Sequence, residues 1–165
     1  MVKTYPLFFK YRETVSGRGF LAWVSVSGRA LMVEESDGEW AMYGVQPGCI
    51  TEGGQSLDEA RLQFRAAFRE LLFNIAADAP HFEEFKNQTE GMLGQINEPL
   101  EAEWRQAVEA VRARKICPDP VIDTLPRESA ENDPRVLVQK INEPKTKYTP
   151  EENQPDEYLL SEAAA

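Results

Sequence analysis

Four carboxylates lie close together in the sequence, at Glu34, Glu35, Asp37 and Glu39. Gathered carboxylates hold divalent cations, and a bound metal can activate water for phosphodiester cleavage, so this cluster is the candidate for a metal-dependent nuclease. Asp37 and Gly38, however, form the Asp-Gly pair typical of a hairpin turn. Carboxylates at a hairpin tip are ordinarily solvated, so the sequence predicts no metal site, no catalytic residue and no cofactor.

Histidine and cysteine offer little further chemistry. His81 is the single histidine, so acid–base catalysis by a histidine pair within one chain is excluded. Its position after Pro80 indicates a surface or packing residue at a helix start. Cys49 and Cys117 lie too far apart in sequence for a metal-ligand pair, and one disulfide between them is the alternative to free thiols. We predict that Cys49 is a small buried or half-buried side chain without a nucleophilic role.

Three arginines, Arg61, Arg65 and Arg69, recur at four-residue spacing and therefore share one side of a helix. On the outer side of that helix they could bind RNA phosphate or an acidic patch on a partner. The alternative is an ordinary solvated helix face. Trp40 is the candidate aromatic contact for a partner, with packing in a core as its alternative. These four residues form the candidate partner-binding set.

The elements that position these residues begin with a predicted antiparallel meander. Aromatic and β-branched side chains and alternating apolar positions favour strands. The predicted strands are residues 4–15, 20–26, 30–35 and 40–45, with a short stretch at 50–51 near the sheet edge. The segments 16–19 and 27–29 are too short for crossover helices, so we predict turns there and antiparallel pairing throughout.

A long amphipathic helix is predicted from residue 57 to about residue 76. Ser56 and Glu59 have the spacing of a capping box, in which Glu59 returns a bond to the Ser56 amide. Apolar residues at three- and four-residue intervals form a stripe on this helix: Leu57, Ala60, Phe64, Phe68, Leu71, Leu72 and Ile75. We expect this stripe to cover one face of the sheet, which gives an α+β fold.

The remainder of the chain is predicted to add to this single domain. Residues 79–115 form a helical insertion, and residues 135–141 form a strand that can return to the sheet. The domain therefore covers residues 1–141. Residues 142–165 are polar, acidic and proline-bearing, and we expect a disordered tail there.

Charge and composition exclude several classes of protein. The net charge of -10 argues against a primary nucleic-acid binder, which needs clustered Lys and Arg. An acidic chain more naturally binds a basic partner. No apolar run could span a bilayer or act as a signal peptide, and two separated cysteines form no disulfide framework. We therefore expect a cytoplasmic protein.

One stretch carries a family resemblance. A hairpin is followed by PGCITEGG at 47–54, by SLDEA at 56–60 and by the long helix. Pro47-Gly48 favours a chain reversal, and Gly53-Gly54 permits positive φ before the helix. Over residues 30–77 this order resembles the N-terminal domain of HicB-like antitoxins, whose fold is similar to a truncated ribonuclease-H-like unit. The residues that carry the resemblance are Pro47, Gly48, Cys49, Gly53, Gly54, Ser56 and Glu59.

The resemblance implies a non-enzymatic protein that binds a small basic RNA-cleaving toxin. Many members add a C-terminal DNA-binding segment, but residues 98–165 contain no basic recognition helix, so operator binding is not expected. Two alternatives stay open. One is a stand-alone homo-oligomeric structural or regulatory protein of the same fold. The other is the metal-dependent nuclease that uses the hairpin carboxylates.

Overall fold

Five strands and three helices are present in a computed structural model, which describes residues 3–36, 38–113 and 134–141. Strands β1 (Thr4–Gly17), β2 (Phe20–Ser36), β3 (Glu39–Gln46) and β4 (Thr51–Gly54) lie side by side in chain order, each antiparallel to the next. Strand β5 (Arg135–Lys140) pairs antiparallel with β2. The predicted meander and returning strand are therefore confirmed, and the fold is α+β.

The predicted turn at residues 27–29 is wrong, because β2 runs straight through it. Its pairing with β1 holds one register from Thr4 opposite Val33 to Gly17 opposite Phe20. Gly28 fits inside the strand because a Cβ there would lie 2.5 Å from the Gln46 carbonyl oxygen and 2.6 Å from the Phe9 ring. The glycine thus permits close packing and does not break the strand.

One edge of β2 is shared by two strands. Strand β3 pairs with residues 29–36 of β2, and β5 pairs with residues 22–27. Strand β1 pairs with the whole length of the opposite edge and is itself an edge strand. The sheet therefore ends at β1 on one side.

Helix α1 (Leu57–Asp78) covers one face of this sheet, as predicted. The Ser56 hydroxyl accepts a hydrogen bond from the Glu59 N–H at 3.0 Å, and the Glu59 carboxylate accepts one from the Gln55 N–H at 2.7 Å. The return bond of the cap therefore reaches Gln55 and not Ser56. The buried stripe contains Phe64 and Phe68, whose rings pack against Phe9 and Tyr11 of β1; its other members are Ala60, Leu72, Ile75 and Ala76.

The predicted insertion folds as two helices on opposite faces of the sheet. Helix α2 (Phe82–Leu93) extends the α1 layer, where Phe85 packs 5.2 Å from the Phe20 ring. Helix α3 (Glu98–Arg112) lies across the other face and forms a second core with Leu31 and Val45 through Trp104, Ala107 and Val108. The sheet is thus covered on both faces. The predicted C-terminal tail lies outside the described residues.

Candidate protein-binding surface

The outer edge of β1 presents backbone groups that β2 does not use. The Glu34 N–H donates to the Lys3 carbonyl at 2.8 Å, which makes Lys3 and Glu34 a hydrogen-bonded pair. In an antiparallel ladder such pairs alternate with non-hydrogen-bonded pairs. The backbone groups that point away from β2 therefore belong to the even-numbered residues, which include Phe8, Lys10, Arg12 and Thr14. Pro6, which has no N–H, falls in the same outward set, as expected for an edge strand.

This outer edge has no strand partner within the described residues. Strand β1 pairs only with β2 there, and no described residue outside β2 makes a backbone hydrogen bond to β1. A row of such donors and acceptors is a template for pairing with another chain. The even-numbered side chains point toward α3, since Phe8 lies 5.5 Å from the Trp104 ring. The odd-numbered side chains point toward α1.

Arg61 and Arg65 lie beside this edge, whereas the sequence predicted them on the outer side of α1. Arg65 and Arg61 are half-buried and line a cleft between α1 and β1. The Arg65 guanidinium lies 5.7 Å from the centre of the Tyr11 ring, a cation–π distance. Arg61 pairs with Asp58 at 2.9 Å. Arg69 is exposed one turn further along and lies 5.7 Å from the Phe73 ring.

The same cleft has an apolar lining. Leu62 lines it and is 61% exposed, the most exposed large apolar side chain of the described residues. The deeper lining consists of Leu7, Phe9, Tyr11, Phe64 and Phe68. An apolar side chain of a bound segment could therefore contact Leu62 beside these rings. We call the outward backbone of residues 8–14 together with Arg61, Leu62 and Arg65 the edge surface.

Burial dominates the electrostatics inside the edge surface. The Tyr11 hydroxyl donates to the Glu13 carboxylate at 3.0 Å, and burial, followed by the Glu13 charge, raises the pKa of Tyr11. The phenol therefore stays neutral and holds Glu13, whereas Asp58 is held by Arg61. Lys10 and Arg12 add two cations on the face opposite α1.

Trp40 does not join this surface. Its ring stacks on Tyr5 at 6.0 Å with an interplanar angle of 13°, and it packs against the main core while half-buried. Opposite it in β4 lies Gly54, next to the start of α1. Trp40 is not among the residues that line the cleft with Arg61 and Arg65.

The residues of the HicB-like motif have packing roles in the described structure. Pro47 and Gly48 reverse the chain between β3 and β4, as predicted, and a Cβ on Gly48 would lie 2.6 Å from the Asn97 nitrogen. The expected positive φ at Gly53 and Gly54 is wrong, because both lie in β4; the described glycines with positive φ are Gly19 and Gly38. Gly54 instead permits close approach, since its Cβ would lie 2.5 Å from the Ala60 nitrogen.

The predicted burial of Cys49 is also wrong, because the residue is exposed. Burial around the sulfur nevertheless raises the pKa of the thiol, which reduces the nucleophilic thiolate fraction. His81 caps α2, where its Nδ1 accepts a hydrogen bond from the Glu84 N–H at 3.3 Å. Cys117 lies outside the described residues.

The hairpin carboxylates lie at the tip of β2 and β3. Glu35 and Glu39 are exposed, Glu34 is half-buried, and Asp37 lies outside the described residues. The Tyr43 hydroxyl donates to Glu35, and this bond, together with burial, raises the pKa of Tyr43 to about 12. No group of three metal-ligating side chains occurs within residues 3–36, 38–113 and 134–141.

Sequence analysis missed Leu62, Lys10 and Arg12 as members of one surface. A signal was present, because Pro6 inside a strand pattern favours an edge strand.

In the part of the chain that the structure describes, no helix is long and apolar enough to cross a membrane. No known protein family, curated protein or solved structure matches this chain. The resemblance of residues 30–77 to HicB-like antitoxins therefore stays a prediction.

Proposed function

We propose that this chain is a non-enzymatic, HicB-like protein that acts by binding a partner protein through its edge surface. The observation that carries the proposal is Leu62, which is 61% exposed and lies in a cleft that is also lined by Phe9, Phe64 and Phe68. Leu62 and the adjoining cleft supply apolar area, and Arg61 and Arg65 supply a polar rim. This combination of an apolar centre and a charged rim is typical of protein interfaces.

The resemblance extends the proposal to a small basic RNA-cleaving toxin as the partner. Cations on such a toxin would be attracted to the β2–β3 tip, where Glu34, Glu35 and Glu39 lie.

Quantitative affinity purification from the native host tests the proposal with matched variants. Leu62→Glu and Arg65→Glu change the edge surface, whereas Met92→Glu and Arg105→Glu make the same chemical changes at exposed positions on α2 and α3. We expect each edge variant to lower partner recovery at least about tenfold, equivalent to about 1.4 kcal/mol, and each control to retain it. Equal recovery with all four variants would refute binding at this surface.

Two further outcomes identify the partner class. Glu34→Lys with Glu39→Lys should lower recovery of a basic toxin, whose cations these carboxylates would attract. If the bait recovers only itself, and forms an oligomer that Leu62→Glu and Arg65→Glu dissociate, the chain is the stand-alone homo-oligomer and the toxin proposal is wrong. Sedimentation velocity of the purified chain measures that oligomer directly.

A further inference from the structure

We infer that strand β5 pairs antiparallel with β5 of a second copy of this chain, so that one sheet continues across a two-fold dimer. The inference goes beyond the proposed function, which concerns the cleft beside Leu62. Strands β5 and β1 pair with opposite edges of β2, so the two surfaces lie on opposite sides of the sheet. A dimer formed through β5 therefore leaves the cleft accessible to a partner.

The outer edge of β5 presents backbone groups that β2 does not use. The Ile141 N–H donates to the Leu21 carbonyl at 2.8 Å, so the odd-numbered residues of this strand bond to β2. The backbone groups of Val136, Val138 and Lys140 therefore point away from β2. Within the described residues, β5 pairs with β2 alone, and no backbone group outside β2 bonds to it. Such an edge is a template for pairing with another chain.

Side-chain exposure shows that helix α2 does not close off this edge. Four of the six residues of β5 are exposed, and Val138 is the one buried member. Leu137 lies on the face opposite α2 and is 47% exposed, which is high for a large apolar side chain in a strand. Pairing with another strand would remove this apolar surface from water, which is favourable.

One antiparallel register matches apolar residues with apolar residues. Leu137 lies opposite Leu137 of the partner subunit at a non-hydrogen-bonded position, where side chains approach most closely. Val136 lies opposite Val138 of the partner subunit, and these two residues exchange both backbone hydrogen bonds. A shift of two residues places Lys140 opposite Val136 and Gln139 opposite Leu137, which loses both apolar pairs. The strand is therefore complementary to itself, which identifies a second copy as the occupant.

The same register decides where Lys140 of the partner subunit lies. It falls opposite Pro134, whose carbonyl accepts a hydrogen bond from the Lys140 N–H of the partner subunit. The Lys140 side chain lies on the α2 face of the sheet, because it is two residues from the buried Val138. A cavity of about 340 Å³ opens beside Pro134 and gives this long side chain room.

A carboxylate lines that cavity and complements the incoming ammonium group. Glu90 of α2 lies there and is 43% exposed. It also pairs with Lys86 at 3.9 Å, and its two oxygens have acceptor sites for both cations. Arg135 lines the cavity as well, but its position in β5 places it on the opposite face of the sheet. The two-fold axis repeats the pair of Glu90 and the partner's Lys140 at both ends of the joined strands.

Sedimentation velocity of the full chain over a concentration series tests the dimer. We expect the wild type to show a monomer–dimer equilibrium. Leu137→Lys places like charges at the two-fold axis and should raise the Kd of the dimer at least about tenfold. Leu137→Ile keeps an apolar side chain and should retain the dimer, as should Arg105→Glu on the exposed side of α3. Circular dichroism establishes that each variant is folded. A wild type that stays monomeric, or a Leu137→Lys variant that dimerises equally well, would overturn the inference.

A charge exchange tests the register. Glu90→Lys and Lys140→Glu should each weaken the dimer, and the double variant should restore it, because opposite charges again face each other. Within one chain Glu90 lies beside Pro134, and Lys140 lies six residues further along β5, roughly 20 Å away. Restoration therefore reports a contact between two copies. A double variant that dimerises no better than the single ones would contradict the register.

Hydrogen exchange measured by nuclear magnetic resonance tests the backbone pairing. The amides of Val136, Val138 and Lys140 should be protected in the dimer and should exchange freely in dilute monomer. Protection at every concentration would show that the chain covers this edge with its own residues, which overturns the inference. A dimer that Leu62→Glu dissociates and Leu137→Lys does not would also overturn it. The proposed function is judged separately, by recovery of the cellular partner with the edge variants.

Discussion

Replacing Phe68 with alanine removes the ring on which the packing of α1 against β1 depends. Phe68 is fully buried, stacks on Tyr11 at 5.0 Å and meets the Phe9 and Phe64 rings edge-on at 5.6 and 5.3 Å. Buried Phe→Ala substitutions cost about 3–5 kcal/mol, since the lost transfer energy adds to the energy of the cavity. We expect Phe68→Ala to fall in the upper part of that range, because its three aromatic neighbours cannot all move to fill the cavity.

Urea denaturation followed by tryptophan fluorescence and circular dichroism measures this loss. Because domains are stable by only about 5–15 kcal/mol, a loss of about 4 kcal/mol leaves a marginal fold. Phe68→Leu keeps most of the volume and should cost about 1.5 kcal/mol or less. Arg69→Ala, at the exposed neighbouring position, should change stability by about 0.5 kcal/mol at most. A Phe68→Ala loss no larger than that of Arg69→Ala would refute the described packing of α1 on β1.

Two further predictions test single contacts. Gly54→Ala should destabilise the protein more than Gly53→Ala in urea titrations, because the added Cβ would lie 2.5 Å from the Ala60 nitrogen at Gly54 but 3.4 Å from the nearest atom at Gly53; equal losses would contradict the close approach of β4 and α1. The pKa of Tyr11 is raised above its ordinary value of 10.0 in the folded protein, so the neutral phenol stabilises the fold at every pH below 10.0. This contribution to stability is lost as the pH rises from 10.0 toward the pKa of the folded state. The free energy of unfolding of Tyr11→Phe should therefore fall less steeply with rising alkaline pH than that of the wild type, as measured by urea titrations at several pH values. Identical pH profiles would refute the burial of the phenol.

Much of the fold could be predicted from the sequence, because the local signals agreed with one another. The capped start of α1 at Ser56, its apolar stripe and the returning strand with Val136 and Val138 all follow from spacing alone. Gly28 could not be interpreted in the same way. A glycine between two strand-like runs favours a turn, and only the packing of the Phe9 ring in β1 shows why a strand passes through it.

The candidate site was harder to predict from the sequence, because the side of α1 that faces solvent was assigned from its arginines alone. Arg61, Arg65 and Arg69 each follow a buried residue of the stripe, namely Ala60, Phe64 and Phe68. One residue turns about 100° around a helix, so these arginines border the buried face and do not oppose it. That geometry was present in the sequence. The sequence did not show which strand lies beside these arginines, because that depends on the order of strands in the sheet, which places β1 there.

Proline and charged side chains in β1 protect its outer edge from self-association. An edge strand of this length risks pairing with copies of itself, and natural proteins counter this with charged side chains and proline. Pro6 removes a donor from the first part of the edge, and Lys10 and Arg12 place like charges together in an antiparallel pair of β1 strands.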